Sequence, residues 1–138
     1  IDHGWQGRYD VEGKLGSYNA LELAYIGDAV YELLIRKALL GRGSRQMVEH
    51  NRQAFAMVNA AAQARAVQYL SDQLTTEELD LIRYGRNAKG GSAKSASLGD
   101  YRLATGLECL LGALYLEDEF DRIEQLMELI IDYLSKEE

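Results

Sequence analysis

The sequence predicts an all-α domain, and three features of it point that way. Its 138 residues contain no proline, where average usage of ~5% would supply several. Helix interiors exclude proline, whose ring removes a donor and clashes with the preceding turn. Apolar residues recur at helical spacing, most plainly Ile123, Leu126, Met127, Ile130, Ile131 and Leu134. No strict apolar–polar alternation between turn residues stands out, and no internal repeat. The length is that of one domain, and a hydrophobic fraction of 47% allows a packed core.

Taken in order, residues 1–17 hold four glycines and no sustained helical period. They read as an N-terminal tail or an artificially added segment. Residues 18–138 read as the folded domain. Ser17 or Asn19 can cap a first helix, which is apolar almost all round from Ala20 to Leu40. That pattern predicts the buried centre of a helical bundle. It stops at Gly41–Gly43, and Ser44 can cap the next helix. Residues 45–71 are rich in good helix formers, with room for a short first piece ending near Asn51. Thr75 and Glu78 have capping-box spacing and open a helix of about a dozen residues. Glycines and serines from Gly85 to Gly99 then predict a loop carrying Arg86, Lys89 and Lys94. Helix resumes near Asp100 through the apolar run Leu103–Leu116, and a last amphipathic helix covers Phe120–Leu134. The total is about six helices.

The net charge of −7 is unevenly spread: Glu117 to Glu138 holds nine acids and two bases, and the rest is neutral overall. Within the neutral part, Arg36–Arg65 has six bases against Glu49, and Arg83–Arg102 has five against Asp100. Screening confines charge interactions to ~8–10 Å, so such patches can hold phosphates on an acidic chain. Cys109 is the only cysteine. A disulfide within the chain and a thiolate zinc cage are therefore excluded, which fits a reducing cytosol. No apolar run approaches a membrane span and no secretory pattern opens the chain, so the expectation is a cytoplasmic protein without a membrane partner.

Two carboxylates stand where charge is rare. Asp28 lies inside Leu23–Ile35, with Glu32 at i+4 and Tyr25 at i−3 on its face, and Gly27 beside it leaves room for another backbone. Glu108 repeats the pattern in the second apolar helix, flanked by Ala104 and Gly112 at i−4 and i+4. Each acid can instead point to solvent or pair with an arginine. If they converge, they repel, and one stays protonated unless a divalent cation compensates. Oxygen ligands select magnesium or manganese, and such a site can act on a phosphodiester.

The stretch LELAYIGDAVYELLIRKALL (21–40) resembles the signature of the ribonuclease III catalytic domain. More closely, the chain is similar to the Mini-ribonuclease III family, which lacks a separate double-stranded RNA-binding domain. VNAAAQA (58–64), TTEELDLIRYGRNAK (75–89) and YRLATGLECLLGALYLE (101–117) agree in order, the second ending in the family's most distinctive string. The last helix matches in character only.

The resemblance implies a magnesium-dependent endoribonuclease, with manganese as a substitute, acting on double-stranded RNA such as 23S-type ribosomal RNA precursors. It implies a homodimer, since cutting both strands needs two sites and a two-fold pair supplies them. Asp28 becomes the catalytic, metal-linked aspartate and Glu108 its metal-ligating partner, with Glu32 and Tyr25 supporting them. Larger ribonucleases III have further acids where this chain has Leu21, Ala24 and Thr105. Mini-ribonucleases III share that reduction. Ala61 replaces a usual lysine, and Ala93 before Lys94 replaces a usual proline.

Duplex RNA is held by phosphate and 2′-hydroxyl contacts across the minor groove. Arg83, Arg86, Asn87, Lys89, Lys94 and Arg102 are the candidates for them. The alternative is a catalytically reduced RNA-binding or ribosome-associated module of the same fold, against which the presence of both Asp28 and Glu108 speaks. A helical interaction protein that binds no RNA fits the clustered bases poorly.

Overall fold

A computed structural model describes residues 18–42, 46–88 and 97–136. They form six α-helices: α1 (Ala20–Gly41), α2 (Met47–Val58), α3 (Ala60–Leu70), α4 (Thr76–Ala88), α5 (Leu98–Leu116) and α6 (Phe120–Lys136), with a 3-10 turn at Ser71–Gln73 after α3. No strand occurs among the described residues. Ser17, Ser44, Lys89 and Lys94 lie outside them.

The expected centre of the bundle is corrected. From Ala104 to Leu114 every residue of α5 is buried except Glu108, and α1, α3 and α4 all pack against it. Helix α1 buries Leu23, Val30, Tyr31, Ile35 and Leu39 but leaves a second apolar face in the open. Tyr25 is 81% exposed and Leu33 65%, with Leu21 and Leu40 also exposed. Apolarity all round marks a helix that is covered on every side. It does not say whether the cover comes from the same chain.

Local chemistry sets the boundaries. Asn19 caps α1 by accepting from the Glu22 backbone N–H at 2.8 Å, while the Glu22 carboxylate accepts from Asn19 N–H at 2.9 Å. The segment 45–71 breaks at Asn59 rather than near Asn51. Asn59 is extended, its Oδ1 accepts from Ala62 N–H at 2.8 Å, and its amide nitrogen donates to the Phe55 carbonyl at 3.1 Å. One side chain thus ends α2 and starts α3. Gly85 is also corrected: it lies buried in α4, where a methyl group would meet the Thr105 carbonyl oxygen at 2.8 Å and the Gly106 Cα at 2.9 Å. It is a packing glycine, not the start of a loop.

The capping box of α4 is present, Glu78 N–H donating to Thr75 Oγ1 and Thr75 N–H to Glu78 Oε1. The same carboxylate receives Arg122 of α6 through both oxygens at 2.8 Å, and Arg122 also donates to the Gln73 carbonyl at 3.0 Å. Burial raises the Glu78 pKa, but the Arg122 and Thr75 hydrogen bonds outweigh it and hold the carboxyl below its usual range. Arg122→Met should cost about 2–3 kcal/mol, below the ~3–5 of a fully buried pair because Arg122 is partly exposed. A depressed folded-state pKa stabilises above the unfolded value and is lost as pH falls through the folded one. The gap in Tm between wild type and Arg122→Met should therefore be widest above about pH 5 and shrink in acid. A constant gap in thermal scans from pH 7 to 3 would refute this account of the pair.

Candidate active site

Glycines fix where α1 meets α5. A methyl group at Gly27 would lie 1.7 Å from the Glu108 carbonyl oxygen and 2.9 Å from its Cα; one at Gly112 would lie 1.9 Å from the Leu23 carbonyl oxygen and 3.1 Å from Gly27 N. The two backbones therefore touch, which only residues without Cβ permit. Asp28 follows Gly27 directly, so the crossing sets it beside the helix that carries Glu108.

Asp28 is exposed and opens on a groove of about 660 Å³ whose walls include Tyr25, Ala29, Leu33 and Tyr115. Glu108 is half-buried, and Gln63 of α3 donates its amide to Glu108 Oε2 at 3.4 Å. The fully buried Tyr31 donates its hydroxyl to the Met57 carbonyl at 2.7 Å. Burial raises the Tyr31 pKa far above its ordinary value, with the Glu108 charge adding to the rise and Arg65 opposing it. The phenol therefore stays neutral at physiological pH and serves as a fixed donor. Burial likewise pushes the Cys109 thiol up to about 12, against an opposing hydrogen bond with the Gly85 backbone. A thiol so placed is not a nucleophile.

The remaining candidates fall into two groups. Glu32 and Tyr25 share the groove with Asp28, but the Glu32 carboxylate accepts from Arg36 at 3.2 Å, and Tyr25 stands in solvent. Arg83, Arg86 and Asn87 lie exposed on the C-terminal half of α4. Arg83 pairs with Asp80 at 2.8 Å, and Arg86 Nε donates to Asn87 Oδ1 at 3.4 Å. The Gly85 contact seats this end of α4 on α5 within one turn of Glu108. Arg102, in the first half of α5, is half-buried, and its Nε is a buried donor without a partner among the described residues.

Gln63 and Tyr31 carry no signal that singles them out in the sequence. The trace that could have found Gln63 is a large polar side chain in an otherwise alanine-rich stretch. For Tyr31 it is the i+3 offset from Asp28. Among the described residues no three His, Cys, Asp or Glu side chains converge as a metal site. Two carboxylates, one of them open to solvent, suit a hard divalent cation that completes its shell with water and phosphate oxygens.

A ribonuclease III domain model matches residues 21–119. The Mini-ribonuclease 3 of Symbiobacterium thermophilum is 41% identical over 84% of this chain and 90% of its own length. That of a Thermoanaerobacter species is 40% identical over 91% of this chain and 88% of its own. A crystal structure of a Fusobacterium nucleatum protein superposes with a TM-score of 0.75 at 29% identity, covering 89% of this chain and 96% of that one. The chain therefore belongs to the Mini-ribonuclease 3 family of ribonuclease III domain proteins, and it is an endoribonuclease of the ribonuclease III type.

Proposed function

We propose that the chain hydrolyses phosphodiester bonds in double-stranded RNA at a site held by Asp28 and Glu108, with magnesium as the resident cation and manganese as its substitute. The observation that supports this most is the backbone contact of Gly27 with Glu108, at the crossing of the two helices that carry the acids. A bound divalent cation would neutralise charge on the scissile phosphate and acidify a water. Asp28, open to the groove, is placed to meet the phosphate side. Glu108 is half-buried, and its Oε2 accepts from the Gln63 amide.

Arg83, Arg86, Asn87 and Arg102, with Lys89 and Lys94, would carry the duplex backbone past these acids. A second copy of the chain would cover the C-terminal part of the open face of α1, where Leu33 and Leu40 stand in solvent, and leave Asp28 accessible to the duplex. The natural substrate we propose is a duplex region of a ribosomal RNA precursor of the 23S type, cleaved in the cytoplasm. No described helix is long and apolar enough to cross a membrane.

The test is cleavage of an end-labelled duplex with magnesium, after EDTA, and after magnesium is restored. EDTA should stop product formation and magnesium should restore it. Glu108→Gln should lose on the order of 10²-fold or more in rate, the equivalent of several kcal/mol of charge stabilisation. Cleavage that persists in EDTA would end the metal reading. Sedimentation of the same preparation should give a dimer, and a monomer that cuts both strands would end the dimer reading. A transcript spanning the 23S precursor stem should outcompete an unrelated duplex of equal length, and equal cleavage of both would end the substrate reading.

A further inference from the structure

We infer that Gln63 is a positioning residue for the cleavage reaction: its amide holds Glu108 Oε2 and so sets the orientation in which the carboxylate meets the cation. The inference rests on the reading of Glu108 as a metal ligand.

Gln63 is 2% exposed, among the few buried polar side chains of the chain. A buried amide that lacks a partner costs stability, so residues of this kind are kept where a partner exists. Its partner is Glu108 Oε2, at 3.4 Å. That distance is longer than the ~2.7–3.2 Å usual for N–H···O, and catalytic hydrogen bonds that are long without substrate tighten when it binds. Small neighbours let α3 approach: Ala62, Ala64 and Ala66 are all buried around Gln63. Helix α1 in turn presses the Gly27 backbone against the main chain of Glu108. The backbone of Glu108 is thus fixed by one helix and its carboxylate by another.

The consequence is chemical. A carboxylate free to rotate can bind a cation through either oxygen or both. One that accepts an amide hydrogen bond at Oε2 meets the cation in a set orientation. Partners that orient a metal ligand typically change affinity or activity by about 10–100-fold when removed.

The test compares wild type with Gln63→Met, which keeps the volume and loses the donor, and with Glu108→Ala. Four quantities are read: kcat and KM on a labelled duplex, Mn²⁺ binding by electron paramagnetic resonance, duplex binding in EDTA, and thermal unfolding. Gln63→Met should lower kcat about 10–100-fold and raise the Mn²⁺ needed for half-occupancy about tenfold. KM, duplex binding in EDTA and the unfolding midpoint should stay near wild type. If Gln63→Met keeps wild-type kcat and Mn²⁺ binding while Glu108→Ala is inactive, the inference falls and the site reading stands. If Glu108→Ala also cleaves and binds Mn²⁺ normally, the site reading falls and takes the inference with it. Should Gln63→Met unfold, Gln63→Asn decides, since it keeps a polar amide but withdraws the donor from Glu108 Oε2 by one methylene. A wild-type rate and Mn²⁺ affinity there would overturn the inference, and a matching loss of both would support it.

Discussion

Asp28→Asn is expected to abolish duplex cleavage in a protein that folds and binds RNA as before. Asparagine has the same shape as aspartate, and the side chain is exposed, so the substitution disturbs no packing. Exposed changes of this kind usually alter stability by no more than about 0.5 kcal/mol. What disappears is the negative charge. With it goes the stronger of the interactions an oxygen ligand can make with a hard cation, since an amide oxygen is neutral. The loss should be on the order of 10³-fold or more in single-turnover rate, equivalent to several kcal/mol of transition-state stabilisation. Duplex binding in EDTA depends on the basic residues and should be unchanged or slightly tighter, because a negative charge has left the path of the phosphates. Measured together, rate and binding separate a catalytic role from a binding one. A variant that still cleaves within tenfold of wild type would remove Asp28 from the mechanism, and one that binds RNA poorly would reassign it to substrate docking.

Asp28 and Glu108 stood out in the sequence as candidates because charge in an apolar helix breaks a pattern, and the close helix crossing beside them follows the glycines Gly27 and Gly112. The capping box at Thr75–Glu78 was equally plain, since its two hydrogen bonds are local and need no tertiary partner. The last helix was readable because its buried residues Ile123, Leu126, Met127, Ile130 and Leu134 follow one stripe. What the sequence hid depends on partners distant along the chain. Helix α1 and helix α5 are both apolar all round, and only the packing shows that α5 is the enclosed one. Gly85 sits in a run of glycines and serines, so its role as a contact on α5 is masked by neighbours with turn chemistry. Asn59 could cap a helix or stand inside one, and the choice rests on the fold around it. Gln63 is the sharpest case: its partner is 45 residues away and nothing near it in the chain points there.

Gly27→Ala should be the most damaging glycine-to-alanine change among the described residues. The new carbon would lie 1.7 Å from the Glu108 carbonyl oxygen and 2.5 Å from its carbonyl carbon, where contacts of ~3.5 Å are comfortable. The obstacle is main chain, inside the buried stretch of α5, so no rotamer change can relieve it. The helices must move apart by roughly 1.5 Å or more to restore normal contact, which also opens the Gly112–Leu23 contact one turn away. Overpacking of this kind costs typically ~1–3 kcal/mol and more against rigid backbone. That is a large part of the ~5–15 kcal/mol that holds a domain folded. Activity should fall further than stability. Separating α1 from α5 moves Asp28 away from Glu108, and a misplacement of about 1 Å can cost 10²-fold in rate. Gly99→Ala is the matched control, because nothing lies within 4 Å of the added carbon there. Relative to glycine in a helix it should be neutral or gain up to about 1 kcal/mol. Urea unfolding and single-turnover cleavage of the two variants decide the matter. If Gly27→Ala unfolds at the wild-type midpoint and cleaves at the wild-type rate, the α1–α5 backbone contact does not position the two acids, and the site would have to be built from other residues.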